Sequence, residues 1–193
     1  MPAERSKTRS TRRAILDATA ELLFERGADQ LTIRRVEERS GCRAPTIYHY
    51  FHDKTGLIDT LLEEGCARLL AVLRRVPQSD DPVAYLRALA RAYVEFGLRN
   101  PTHYALISAP RDSVRLLPSA EAARLIVFGA LEAACEARAV RANREAMFQA
   151  LWAMLHGVVS LCVSRPDHPW RPELLDLALD TIERGILHGE AAR

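Results

Sequence analysis

The chain of 193 residues predicts an all-α protein, and three observations carry that reading. Apolar residues recur at helical spacing almost throughout, and no run of alternating apolar and polar residues lasts for strand length. The breaks fall where helices stop and start, at Gly27, Ser40-Gly41, Asp81-Pro82, Asn100-Pro101 and Pro118-Ser119. A composition of 48% hydrophobic and 27% charged residues is that of a soluble globular protein and excludes collagen, a coiled-coil tail and a mostly disordered chain.

The elements follow in order. A first helix over about 10–26 turns Ile15, Leu16, Leu22, Leu23 and Phe24 inward and ends at Gly27, which suits the position after a helix. Thr32 caps a short second helix that ends near Arg39, with Leu31 and Val36 stapling its start. A third, about 44–50, carries Pro45 in its first turn, where a missing amide costs little. Asp53 caps a fourth over about 54–75. Further helices are expected over about 82–99, 101–108, 118–137, 143–163 and 172–188, with loops over 110–117 and 164–171.

Charge marks one end. Residues 1–54 hold 11 Lys and Arg against 8 Asp and Glu, a net of +3, which leaves −1 for the remainder of a chain whose total is +2. Arg5, Lys7, Arg9, Arg12 and Arg13 concentrate the bias, an electrostatic footprint for phosphate or anionic lipid. Lipid is disfavoured, because 1–13 has almost no apolar side chain to insert. The arm reads either as a disordered tail or as a segment that orders along DNA.

Cys42, Cys66, Cys135 and Cys162 contain no C-x-x-C pair, so reduced structural thiols are expected. The N-terminus lacks the apolar core of a signal peptide. The most apolar run, 150–163, is shorter than the roughly 20 residues a bilayer needs. A cytoplasmic protein with no membrane partner is the expectation. No G-x-S-x-G, phosphate loop, H-E-x-x-H or catalytic carboxylate pair is present, so neither an enzyme nor a cofactor is expected. His49-x-x-His52 has the spacing of a metal pair, but its place at the end of the third helix favours exposure and phosphate contact; no metal site is expected. Glu37-Glu38-Arg39 reads as a solvated face.

Two short helices joined by Ser40-Gly41-Cys42-Arg43 have the dimensions of a helix-turn-helix, whose second helix lies in the DNA major groove. Ile47 and Phe51, four apart, turn inward. Arg43, Ala44, Thr46, Tyr48, His49 and Tyr50 are left outward. Thr46 offers a hydroxyl and a methyl, Tyr48 and Tyr50 reach phosphates, and Arg34 or Arg43 can fork onto guanine.

The stretch Leu31-Thr32-Ile33-Arg34-Arg35-Val36, Ser40 to Phe51 and Asp53-Lys54 resembles the DNA-binding domain of the tetracycline repressor (TetR) family, and the match covers about 9–62 without a gap. Thr-Ile-Tyr-His-Tyr-Phe followed by Asp-Lys is its most specific part. The resemblance implies that Arg34 and the outward residues of the third helix, with Pro45 in its first turn, contact double-stranded operator DNA, and that Lys54 reaches a phosphate. Family members commonly open that helix with a polar residue where this chain has Ala44, with Arg43 beside it.

The expected organisation is a DNA-binding domain over 1–53 and a helical ligand-binding and dimerisation domain over 54–193. The helix over 143–163 carries Ala146, Ala150, Ala153 and Gly157 beside Met147, Leu151, Met154, Leu155, Val158 and Leu161, so it must be buried on more than one side. The last helix adds Leu174, Leu175, Leu177, Leu179, Ile182 and Ile186. These two helices are expected to form a homodimer interface, as the resemblance also implies. Ala150 to Gly157 is similar to the Trp-His-Gly signature of one TetR subgroup. Tyr93, Phe96, Tyr104, Phe128, Met147, Phe148, Trp152 and His156 are candidates to line a site for a small apolar or amphipathic effector, with ordinary core as the competing reading. A ligand-released repressor is the leading expectation, and a DNA-binding regulator with a purely structural C-terminal body the alternative.

Overall fold

The computed structural model describes residues 2–108 and 117–187. Its elements are α1 (Pro2–Arg26), α2 (Ile33–Ser40), α3 (Ala44–Phe51), α4 (Lys54–Leu73), α5 (Pro82–Arg99), α6 (Pro101–Ser108), α7 (Pro118–Ala137), α8 (Arg144–Ser164) and α9 (Leu174–Ile182), with a short 3-10 turn at Ala28–Gln30 and a π turn at Glu183–Leu187. No strand occurs among the described residues. The expected loop over 110–117 lies, except for Leu117, outside them.

The chain divides into two compact units. Residues 1–66 join 102–117 in the first, and 67–101 join 118–193 in the second, so the division falls within α4. In the first unit Ile15, Leu16, Leu22, Leu31, Val36, Ile47, Phe51 and Leu57 are buried to within a few per cent. Each such side chain contributes about 1.5–3 kcal/mol of burial free energy. Buried Thr19 donates its hydroxyl to the Ile15 carbonyl at 2.7 Å and so satisfies itself within α1.

Two details of α1 differ from the sequence reading. The helix begins at Pro2, so residues 2–9 continue it. Phe24 is 62% exposed and does not join the inner face. Helix geometry gives the reason: Phe24 is nine residues beyond Ile15, about half a turn out of phase at 3.6 residues per turn, whereas Leu22 at seven is in phase.

In the second unit α5 packs against α7, α8 and α9. Asp81 caps α5 by accepting from the amides of Val83 and Ala84, and Asn143 caps α8 by accepting from Ala146. Arg87 pairs with Asp180 at 2.6 Å, and Arg91 with Asp176, which ties α5 to α9. Beneath these charges Leu86, Leu89, Val94, Leu131, Leu151, Leu155 and Leu179 are buried. The final helix is shorter than the 172–188 expected, since the α-helix ends at Ile182 and the backbone widens into the π turn.

All four cysteines are free thiols. Burial pushes the Cys135 thiol up from its ordinary range, and it lies 4.0 Å from the Met147 sulfur. By length and apolarity α8 is the one helix among the described residues that could cross a membrane, longer than the 150–163 run suggested.

Candidate nucleic-acid interface

The α2–turn–α3 segment is built from local hydrogen bonds. Thr32 accepts from the Arg35 amide at 3.3 Å and starts α2. Gly41 stops it in the left-handed region, at φ 70°, donating its amide to the Glu37 carbonyl at 2.9 Å. Cys42 donates its amide to the Ser40 hydroxyl at 3.2 Å and closes the turn.

The start of α3 is held from outside the helix. Arg43 occupies the cap position and makes no side-chain capping bond. Instead the Ala44 amide donates to Glu37 Oε1 on α2 at 2.7 Å. Pro45 has no amide, and the Thr46 amide donates to the Arg43 carbonyl at 2.9 Å, so the first turn of α3 has its donors satisfied. The reading of Glu37-Glu38-Arg39 as a solvated face holds for Glu38 and Arg39, which are exposed, and is corrected at Glu37, which is half-buried. Besides Glu37, Arg39 bonds Glu21 and Glu25 of α1 at 2.9 Å each, which holds the Glu25 carboxyl below its ordinary value and the guanidinium above its own. Glu38 accepts from Arg34 at 3.0 Å. The signal for Glu37 was present in the sequence as a missing one, a cap position holding Arg where Ser, Thr, Asp or Asn is preferred.

At the other end α3 meets α4 through a tight corner. His52 adopts φ 67°, donating its amide to the Tyr48 carbonyl at 2.8 Å, and Asp53 accepts from the Gly56 amide at 2.7 Å to cap α4 as expected. Gly56 is required there, because a Cβ would stand 2.2 Å from the Phe51 carbonyl oxygen. Ile47 and Phe51 are buried, and Arg12 lies over the Phe51 ring at 5.6 Å while pairing with Glu64 at 2.8 Å. Arg13 pairs with Asp17 and Glu64. Two charges of the basic arm are thus engaged within the fold; the side chains of Arg5, Lys7 and Arg9 lie outside the described residues.

The predicted DNA-contacting residues differ in exposure. Arg34, Arg43, Pro45, Tyr48 and His49 are exposed, and Ala44, Thr46, Tyr50 and Lys54 half-buried. The His49 and Tyr50 rings meet edge-on at 5.3 Å. Arg34 also lines an open, polar hollow with Asp29, Gln30, Thr32, Arg35 and Glu38. Among the described residues no cluster of three or more His, Cys, Asp or Glu could hold a metal.

The predicted effector residues are dispersed. Tyr104 is buried in the first unit, and the others belong to the second. Phe128 and Phe148 meet edge-on at 5.7 Å beneath Arg124, which Glu121 holds at 2.8 Å. Phe96 and Met147 are buried, and Tyr93 is half-buried. Trp152 is 56% exposed beside His156 at 6.4 Å, and His156 lies 3.4 Å from the Ser160 hydroxyl. One side of α8 buries Met147, Leu151, Leu155 and Val159; Ala153 stands opposite, and Trp152 and Leu161 are exposed at the two edges between.

Residues 15–61 match the family described as bacterial regulatory proteins, tetR family, and residues 86–182 match the tetracyclin repressor-like C-terminal domain. The HTH-type transcriptional regulator BetI of Escherichia coli O45:K1 is 36% identical over 80 residues, 41% of each chain, so the match spans well under half of that relative. A Rhodococcus sp. RHA1 protein with unknown function shares the fold at TM-score 0.70 and 26% identity, over 91% of this chain and 94% of that one. A TetR family transcription regulator from Marinobacter aquaeolei VT8 superimposes at TM-score 0.72 with 17% identity, over 92% and 96%. With both family matches falling on the two helical regions in order, the chain belongs to the tetR family of transcriptional regulators.

Proposed function

We propose that this regulator is a homodimeric repressor whose residues 1–53 read operator DNA and whose residues 54–193 dimerise and bind a small apolar or amphipathic effector that releases it. The observation that carries the reading is the outward face of α3, where Arg43, Thr46, Tyr48 and His49 stand accessible on a helix whose other side is anchored by Ile47 and Phe51. A single α3 reads one half-site, and two half-sites lie about 34–36 Å apart, so operator recognition calls for two copies. Leu161 of α8 and Leu177 of α9 are exposed apolar side chains available for that pairing, and Trp152 is exposed half a turn out of phase with Leu161 on α8. Operator binding sets the working compartment as the cytoplasm and makes the apolarity of α8 a matter of protein packing, not membrane crossing.

The experiment is a gel-shift titration with duplexes from the promoter of its own gene and the neighbouring genes. A salt-sensitive, sequence-specific shift is expected; its absence at every such site would overturn the reading. A second reading, a regulator whose C-terminal body is purely structural, is favoured by the mutual packing of Phe128, Phe148 and Arg124 and by the exposure of Trp152. A panel of fatty acids, aromatic acids and amphipathic amines separates the two: a member that raises Tm and releases the duplex supports the effector reading.

A further inference from the structure

Glu37 belongs to α2, yet its carboxylate acts on α3. Helix starts leave backbone donors without partners, and the residue at the cap ordinarily supplies the acceptor from a short side chain. Arg43 has only donors, so it cannot serve. The acceptor comes from Glu37 Oε1, 2.7 Å from the Ala44 amide, half-buried and six residues back along the chain from Arg43. The bond is charge-assisted and sits at the positive end of the α3 dipole, where a carboxylate is favoured. It also removes from this helix start the free amide that would otherwise bind a phosphate, leaving Arg43 beside it as the group that meets an anion.

We infer that Glu37 is a positioning residue for DNA reading: by capping α3 from the neighbouring helix, it fixes the start of α3 and frees position 43 for a basic contact. The inference rests on the operator-binding reading above for its consequence, but not for its geometry. A carboxylate close to the reading face weakens attraction to any phosphate, whatever the sequence. Its presence therefore favours discrimination between sequences over total affinity.

The test uses the full-length protein with Glu37→Ala and Glu37→Gln, the second keeping an acceptor oxygen for Ala44. Amide exchange without DNA reads the cap, and fluorescence anisotropy with operator and scrambled duplexes reads its consequence. Slowed exchange at Ala44 in the wild type is expected, about tenfold loss of that protection in Glu37→Ala, and its retention in Glu37→Gln. Operator affinity should fall about five- to tenfold in Glu37→Ala while scrambled-duplex affinity holds or rises, and Glu37→Gln should stay within about twofold of the wild-type ratio. Fast exchange at Ala44 in the wild type overturns the inference, even if Glu37→Ala fails to fold. Lost protection with an unchanged operator-to-scrambled ratio overturns the positioning role. A wild type that binds no duplex specifically overturns the role in reading and the operator-binding function together, while the exchange data still decide whether Glu37 caps α3.

Discussion

The Arg34 guanidinium donates to the Glu38 carboxylate at 3.0 Å, one turn along α2, and both side chains are largely exposed. The guanidinium proposed to meet DNA is therefore already partnered, and its contact with a phosphate or base requires an exchange of partners. Exposed pairs of this kind are worth less than about 1 kcal/mol, so the exchange is easy. Glu38→Gln should raise affinity for non-operator DNA about two- to fivefold at low salt, with the gain shrinking as salt rises. Arg34→Ala should lower it and reduce the salt slope by about 1. Anisotropy titrations across a salt series check both, and equal affinities for the three proteins would refute the docking.

Gly56→Ala places a methyl group 2.2 Å from the Phe51 carbonyl oxygen, and backbone cannot yield as a side-chain tip does. A loss of about 1–3 kcal/mol is expected, or roughly 3–10 °C in Tm for a chain of this size. Because the clash falls on the last residue of α3, operator affinity should fall as well. A calorimetric Tm unchanged from the wild type would show that the α3–α4 corner relaxes freely.

The Glu25 carboxyl is held below its ordinary value of 4.5, first by the hydrogen bond from Arg39. A lowered carboxyl in the folded state contributes stability that is present above the unfolded value and is lost as pH falls through the folded one. The Tm difference between wild type and Glu25→Gln should accordingly be largest near neutral pH and shrink below about pH 4.5. Thermal melts across that range decide it, and a difference independent of pH would mean that the Arg39 pair does not fasten α2 to α1 in solution.

Leu161 is 48% exposed on α8, nine residues from Trp152 and so about half a turn out of phase with it. Placing a charge in a buried interface costs several kcal/mol, so Leu161→Glu should convert a dimer to monomer and weaken operator binding by at least tenfold. Sedimentation velocity reads the first outcome and gel shift the second. A variant that stays dimeric would move the interface elsewhere.

The capped helix starts were legible because they are local. Thr32, Asp53, Asp81 and Asn143 cap the helices that follow them, as side chains of their type do wherever the chain can form the bond. The exposure of Arg43, Tyr48 and His49 was legible for a similar reason, since the spacing of Ile47 and Phe51 orients so short a helix, whereas Ala44, Thr46 and Tyr50, also read as outward, are half-buried. Partners distant in the chain were not. Nothing local pairs Arg39 with Glu21 and Glu25, or Glu37 with Ala44, and a charged run on a helix reads as solvated until its neighbours are known. The burial of the candidate effector residues was illegible for another reason: aromatic side chains at helical spacing fit a core, a pocket and an outer face equally, and only the fold separates Phe148 from Trp152.

On α3 the groups that hold the helix and the side chains proposed to read DNA are different groups. Glu37, Ile47, Phe51 and Gly56 set its place, with Ala44 taking part through its backbone amide alone, while the side chains of Ala44, Thr46, Tyr48 and His49 are not among its anchors. Sequence preference can therefore drift, or be redesigned, by exchanging the second group while the first is left untouched. A library randomised at 44, 46, 48 and 49 should yield mostly folded proteins that differ in the DNA they select, the raw material from which a bacterial lineage can retarget a duplicated regulator.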